Sequence, residues 1–164
     1  MFRTYVPVLV CAALAFAGCG GDDDDSSSGD SASPELTKAE YVKQGNQICS
    51  DTKNDQQEFD DKIDDIDRGD LEAAAPILED AFKVTREGFD RLKALSPPAA
   101  EQAKVDAFLT SSERLLDSRD RLIQAARDDD RPAGQKAATD GEKLSDEQEP
   151  LAKAAGLTDC SNIF

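Results

Sequence analysis

The chain has 164 residues, with 35 acidic against 19 basic side chains and a formal net charge of −16. A surface this acidic repels nucleic acid and anionic lipid head groups, so no nucleic-acid partner is expected and a basic patch cannot supply any hold on a membrane. Histidine is absent altogether, which removes Ser-His-Asp and Cys-His catalysis, His-ligated zinc and the Glu-x-x-His di-iron sites of helical bundles. No metal, no cofactor and no enzymatic activity are expected, because no residue pair offers a nucleophile beside a base.

At the N-terminus a short basic start, Arg3, precedes a compact apolar run from Val6 to Ala17. The run is too short to cross a hydrocarbon core of roughly 30 Å as a helix and reads as the apolar part of a signal peptide, residues 1–18. It ends in Phe16-Ala17-Gly18-Cys19, which resembles the bacterial lipobox. Ala17, Gly18 and Cys19 match that motif, while Phe16 stands where Leu is usual. The resemblance implies that Cys19 is lipidated on sulfur, becomes the new N-terminus and is acylated there. The protein is then held at the extracytoplasmic face of the cell membrane by acyl chains alone. The other reading of the same stretch is an ordinary cut before Gly18, since Ala15-Phe16-Ala17 has the small-x-small form.

Export also decides how the cysteines are read. Of the four, Cys11 leaves with the leader and Cys19 is consumed by lipid, so the folded part keeps Cys49 and Cys160. An even pair on the oxidising side of a membrane is most simply a disulfide; the alternative is two unrelated buried thiols.

Residues 19–36 are rich in Asp, Ser and Gly and bury too little apolar surface to order themselves, so they read as a flexible tether. The acidic run Asp22 to Asp25 lacks the Gly turn and distant Glu of a calcium loop and reads as a solvated spacer. Helical signals begin with the Thr37 to Glu40 capping box. A first stripe follows through Tyr41, Gly45, Ile48, Thr52, Phe59, Ile63 and Ile66, with Asp60, Asp61, Asp64, Asp65 and Asp67 facing outward and Gly69 as the stop. Asp70 caps a second helix with Leu71, Ala74, Leu78, Phe82, Thr85, Phe89 and Leu92 on one face. Pro76 predicts a kink or a lead-in turn within it. Pro97-Pro98 ends that helix and pre-sets a third, whose inner stripe is Val105, Phe108, Leu109, Ser112, Leu116, Arg119 and Ile123. Asp128 to Pro132 breaks the third. The fourth, from Pro132 to Ala155, turns inward only Ala137, Gly141, Leu144, Gln148, Leu151 and Ala155, and it closes in a Gly156-Leu157 Schellman stop.

Four helices of similar length on short connections predict an all-α, antiparallel up-down-up-down bundle over residues 37–164. The fourth helix then returns beside the first, and a Cys49 to Cys160 bridge staples the least apolar helix to it. An early Cys after Tyr41-Val42-Lys43-Gln44, the Ser96-Pro97-Pro98 break and the Gly156-Leu157-x-x-Cys160 ending together resemble small helical lipoproteins of actinobacteria with no assigned function. That resemblance implies location and a helical domain and carries no catalytic residues.

Thr52, Thr85 and Ser112 fall at similar heights on three inner stripes, with Arg119 one to two turns above Ser112. They form a candidate polar layer for a small anionic ligand. In the alternative, the hydroxyls bond back to helix carbonyls and Arg119 snorkels or pairs with a carboxylate. Two classes of function follow. One is a non-enzymatic, lipid-tethered interaction or envelope module with a protein or cell-wall partner; the other is a solute- or cation-binding lipoprotein that uses Asp60 to Asp67 as a carboxylate surface.

Overall fold

The computed structural model describes residues 35–64 and 71–164, leaving out the side chains of residues 60, 64, 71 and 72. The leader, Cys19, the tether as far as residue 34 with Asp22 to Asp25, Ile66 and the Gly69 stop lie outside the described residues, and so do the side chains of Asp60, Asp64, Asp65 and Asp67. The last two residues expected in the tether, Glu35 and Leu36, are instead fastened to the domain, Glu35 accepting from Ala99 N at 2.6 Å and Leu36 packing against the core. What is described is helical throughout: α1 (Lys38–Asp64), α2 (Leu71–Lys93), α3 (Gln102–Arg127), α4 (Arg131–Ala155) and a short 3-10 turn, Thr158–Cys160.

The helix ends follow local chemistry. Thr37 and Glu40 form the reciprocal capping box: the Glu40 carboxylate accepts from Thr37 N at 3.0 Å, and Glu40 N donates to Thr37 Oγ1 at 3.3 Å. The same corner is tied to the α2–α3 connection by Leu36 N to Ser96 O at 3.0 Å and by the Lys38–Glu101 ion pair at 2.9 Å. Helix α2 continues through Pro76, so the proline forfeits one ladder hydrogen bond near the start without ending the helix. The prolines at 97 and 98 do not open α3 themselves. A turn in which Glu101 N donates to Pro98 O at 2.8 Å intervenes, and the helix starts at Gln102.

Between α3 and α4 the chain reverses through Asp129, at a φ of 48°, and Asp130 caps α4 by accepting from Ala133 N at 3.0 Å. At the far end Gly156 takes a φ of 78°, Leu157 N reaches Ala152 O at 2.9 Å and Gly156 N reaches Lys153 O at 3.1 Å. That pair of bonds is the Schellman motif.

Packing follows chain order: α1 lies on α2, α2 on α3 and α3 on α4, while the 3-10 turn contacts both α1 and α4. Surface ion pairs mark the register between α2 and α3, where Glu79 meets Arg127, Arg86 meets Asp120 and Lys93 meets Glu113. Partners thus climb one helix as they descend the next. Each such exposed pair contributes only about 0–1 kcal/mol.

The core draws Tyr41, Ile48, Phe89, Leu92 and Phe108 from the first three helices, and from α4 little more than Ala152 and Ala155. Next to each other in α4, Ala152 is fully buried whereas Leu151, on the expected stripe, is half-buried. The missing volume comes from the segment after α4, where Leu157, Ile163 and Phe164 are all buried. The Phe164 ring lies 5.5 Å from that of Phe89. Burying one such side chain stabilises by about 1.5–3 kcal/mol.

The Cys49–Cys160 disulfide, with Cα atoms 5.0 Å apart and both residues fully buried, fastens this segment to α1. Asn46 lies one turn before it, donating to Gly156 O at 3.0 Å and accepting from Asp159 N at 3.0 Å. Both ends of one amide side chain thereby satisfy backbone groups of the turn that delivers Cys160.

Candidate functional site

The four polar residues of the inner stripes occupy two interfaces. Thr52 and Thr85 belong to the α1–α2 seam. Each donates its hydroxyl to the carbonyl one turn back, Thr52 to Ile48 O at 2.8 Å and Thr85 to Ala81 O at 3.0 Å. Gln56 crosses from α1 to donate to Thr85 Oγ1 at 2.6 Å. The seam closes tightly because Gly88 stands opposite Thr52: a Cβ at Gly88 would fall well inside contact distance of Thr52 Oγ1. Ser112 belongs to the α3–α4 seam and donates to Phe108 O at 3.0 Å. It accepts from Gln148 Nε2 at 2.7 Å, and the same nitrogen donates to Phe164 O at 3.0 Å. Gln148 is fully buried, and its Oε1 has no hydrogen-bond partner.

The three hydroxyl protons are therefore all spent on main-chain carbonyls, as the back-bonding reading requires. None is poised to pass to a base.

Arg119 differs from the rest. Its Nη1 donates to Ile163 O at 2.8 Å and its guanidinium carbon lies 5.5 Å from the centre of the Phe82 ring. Burial pulls its pKa down to about 10, since a cation leaving water is disfavoured unless it is compensated. Beside it opens a groove of about 370 Å³, lined by Arg119, by Phe82, Leu115 and Leu122, and on the α4 side by Ala137, Ala138, Gly141 and Ser145. Ser118 bridges the two sides by donating to Ala137 O at 2.9 Å. Glu142 and Asp146, both exposed, form the outer lip.

Among the described residues, no group of three or more Cys, Asp or Glu side chains is placed to hold a metal ion. No described helix is long and apolar enough to cross a membrane.

Asn46 and Gly88 are structural partners that the stripe pattern does not place, whereas Gln148 stands on the expected inner stripe of α4. Gln148 did leave a signal, being a long amide on an otherwise small and apolar stripe. Asn46 and Gly88 left none, because what they touch is distant in the chain. Compared with known proteins, the chain matches no family model, no curated protein and no solved structure.

Proposed function

We propose that this chain is an exported lipoprotein: an antiparallel up-down-up-down four-helix bundle moored to the extracytoplasmic face of the cell membrane through acylated Cys19. In this reading it acts as a non-enzymatic interaction or envelope module for a protein or cell-wall partner. The observation that carries the reading is the buried Cys49–Cys160 bridge, because such bonds persist in oxidising compartments and are rare in a reducing cytosol. A leader over residues 1–18 supplies the route out, and Cys19 directly after Ala17-Gly18 supplies the anchor. The descending register of the ion pairs supports the antiparallel arrangement, and the engagement of Thr52, Thr85 and Ser112 with backbone carbonyls supports a structural role for those hydroxyls.

Metabolic labelling with an alkyne fatty acid, followed by detergent phase partition, tests it. The wild-type chain is expected to carry label and enter the detergent phase, whereas Cys19→Ser should be unlabelled and leave it. An unlabelled, freely secreted wild-type chain would overturn the assignment. A solute-binding role is the second reading, and the open groove over Arg119 is the observation that favours it.

A further inference from the structure

The segment that completes the core, residues 157–164, lays the Ile163 carbonyl on Arg119, and the groove opens beside that same guanidinium. We propose that this groove binds a small amphipathic monocarboxylate, with Arg119 as the counter-ion and the small-residue face of α4 along the alkyl body.

The charge argument comes first. Arg86, Arg91, Arg114 and Arg127 each pair with a carboxylate at the surface. Arg119, far less exposed, is held by a neutral carbonyl and a ring face instead. A guanidinium carries five N–H donors in a planar fork that matches a carboxylate. A ligand oxygen pair would satisfy donors that one carbonyl leaves over.

Shape is the second argument. On the α4 side Ala137, Ala138 and Gly141 offer no side chain longer than a methyl, with Glu142, Ser145 and Asp146 as the polar residues beyond them, while Phe82, Leu115 and Leu122 make the opposite side apolar. A volume of about 370 Å³ falls within the roughly 300–1,000 Å³ of ordinary small-molecule sites. The lip carboxylates, Glu142 and Asp146, then select among anions. Two negative groups beside the entrance, on a chain of net charge −16, repel phosphates and other polyanions. A ligand with a single charge can offset that repulsion by burying its alkyl body.

This inference deepens the solute-binding reading and does not depend on acylation of Cys19. An unlabelled Cys19 would end the envelope assignment and leave the groove standing, so the two fail separately. The test uses the full chain carrying Cys19→Ser, so that no attached lipid competes. Its amide spectrum is followed by NMR as sodium octanoate is added, with octanol and octylamine as probes of the same body without the anion.

Octanoate should give saturable shifts at Ser118, Leu122 and Gly141, and both comparison probes should bind about tenfold or more weakly. Arg119→Met, which keeps most of the packing, should weaken octanoate about tenfold without changing octanol, and Arg119→Lys should restore part of the loss. Ala138→Leu, at an exposed position lining the groove, should block both probes. Equal binding of octanoate and octanol overturns the proposal, as does the absence of any saturable shift. Binding seen only after Glu142→Gln or Asp146→Asn overturns it too, because Arg119 would then be neutralised from within. Should Arg119→Met fail to fold, the comparison of octanoate with octanol on the Cys19→Ser chain still decides.

Discussion

Replacing Cys49 and Cys160 together with Ala removes the disulfide that fastens the segment after α4 to α1. The bridge spans a sequence separation of 111 residues. In the chain-entropy account, a closed loop of that size denies the unfolded chain freedom worth about 5 kcal/mol at 25 °C. Whole domains are stable by about 5–15 kcal/mol, so the double variant should sit near the edge of folding. The loss should also be uneven. Leu157, Ile163 and Phe164 belong to the core only while residues 157–164 stay docked, and α4 has little apolar surface of its own to hold the position. Urea titration followed by far-ultraviolet circular dichroism gives the total, comparing the oxidised chain, the reduced chain and the double variant. Amide exchange on the reduced chain gives the order, with Leu157 and Cys160, whose N–H groups are bonded in the turn, losing protection before Leu116. A destabilisation of less than about 1 kcal/mol, or protection lost uniformly along the chain, would refute both the entropic estimate and the staple.

Two glycines should respond in opposite ways. Gly88→Ala drives a methyl into Thr52 and is expected to cost about 1–3 kcal/mol in thermal unfolding. Gly141→Ala finds its nearest neighbour, Ser118 Oγ, at 3.5 Å and should be neutral or stabilise by up to about 1 kcal/mol through helix propensity. Asn46→Ala unpairs the Gly156 carbonyl and the Asp159 amide and should lower stability by about 1–3 kcal/mol, read as a shift of the urea midpoint. Tyr41 is buried with its hydroxyl unpaired, and burial first, then the Asp106 carboxylate, pushes its pKa up to about 12. The fold therefore favours the neutral phenol. Its contribution is complete below the unfolded value near 10 and is lost as pH rises through about 12. Tyr41→Phe should match or exceed the wild type at neutral pH, and its advantage should grow by about 3 kcal/mol across that alkaline window. Arg119, depressed to about 10, contributes with the opposite sign in the same range, and it cancels in the difference between the two proteins.

Much of what depends on nearest neighbours in the chain was legible from the residues alone, the start of α3 after Pro97-Pro98 being an exception. The Thr37–Glu40 box, the Gly156-Leu157 stop and most of the inner stripe of α3 appear where spacing placed them, because a cap or a 3.6-residue period is decided within one or two turns. The Cys49–Cys160 bond was legible for a different reason: on the expectation that Cys11 leaves with a leader and Cys19 is lipidated, two cysteines remain, and pairing them is the simplest reading. The weak fourth stripe was read as a deficit for the disulfide to offset, and here local reading ran short. A bond constrains the unfolded chain but fills no volume, and the space that α4 leaves is filled by Leu157, Ile163 and Phe164. Only a chain that turns back after Gly156 brings those residues inside, and two neighbours make that return possible. Asn46 must accept and donate at the turn, and Gly45 must carry no side chain, since a Cβ there would collide with Leu157. Gly45 stands on the expected inner stripe of α1, but what it makes room for, like what Asn46 bonds, is visible only once α1 and the returning segment meet. The Arg119 groove follows from the same return. The segment that supplies the Ile163 carbonyl holds Arg119 in place and leaves the space beside Gly141 open. The candidate binding site is therefore a consequence of how the missing volume of α4 was made up.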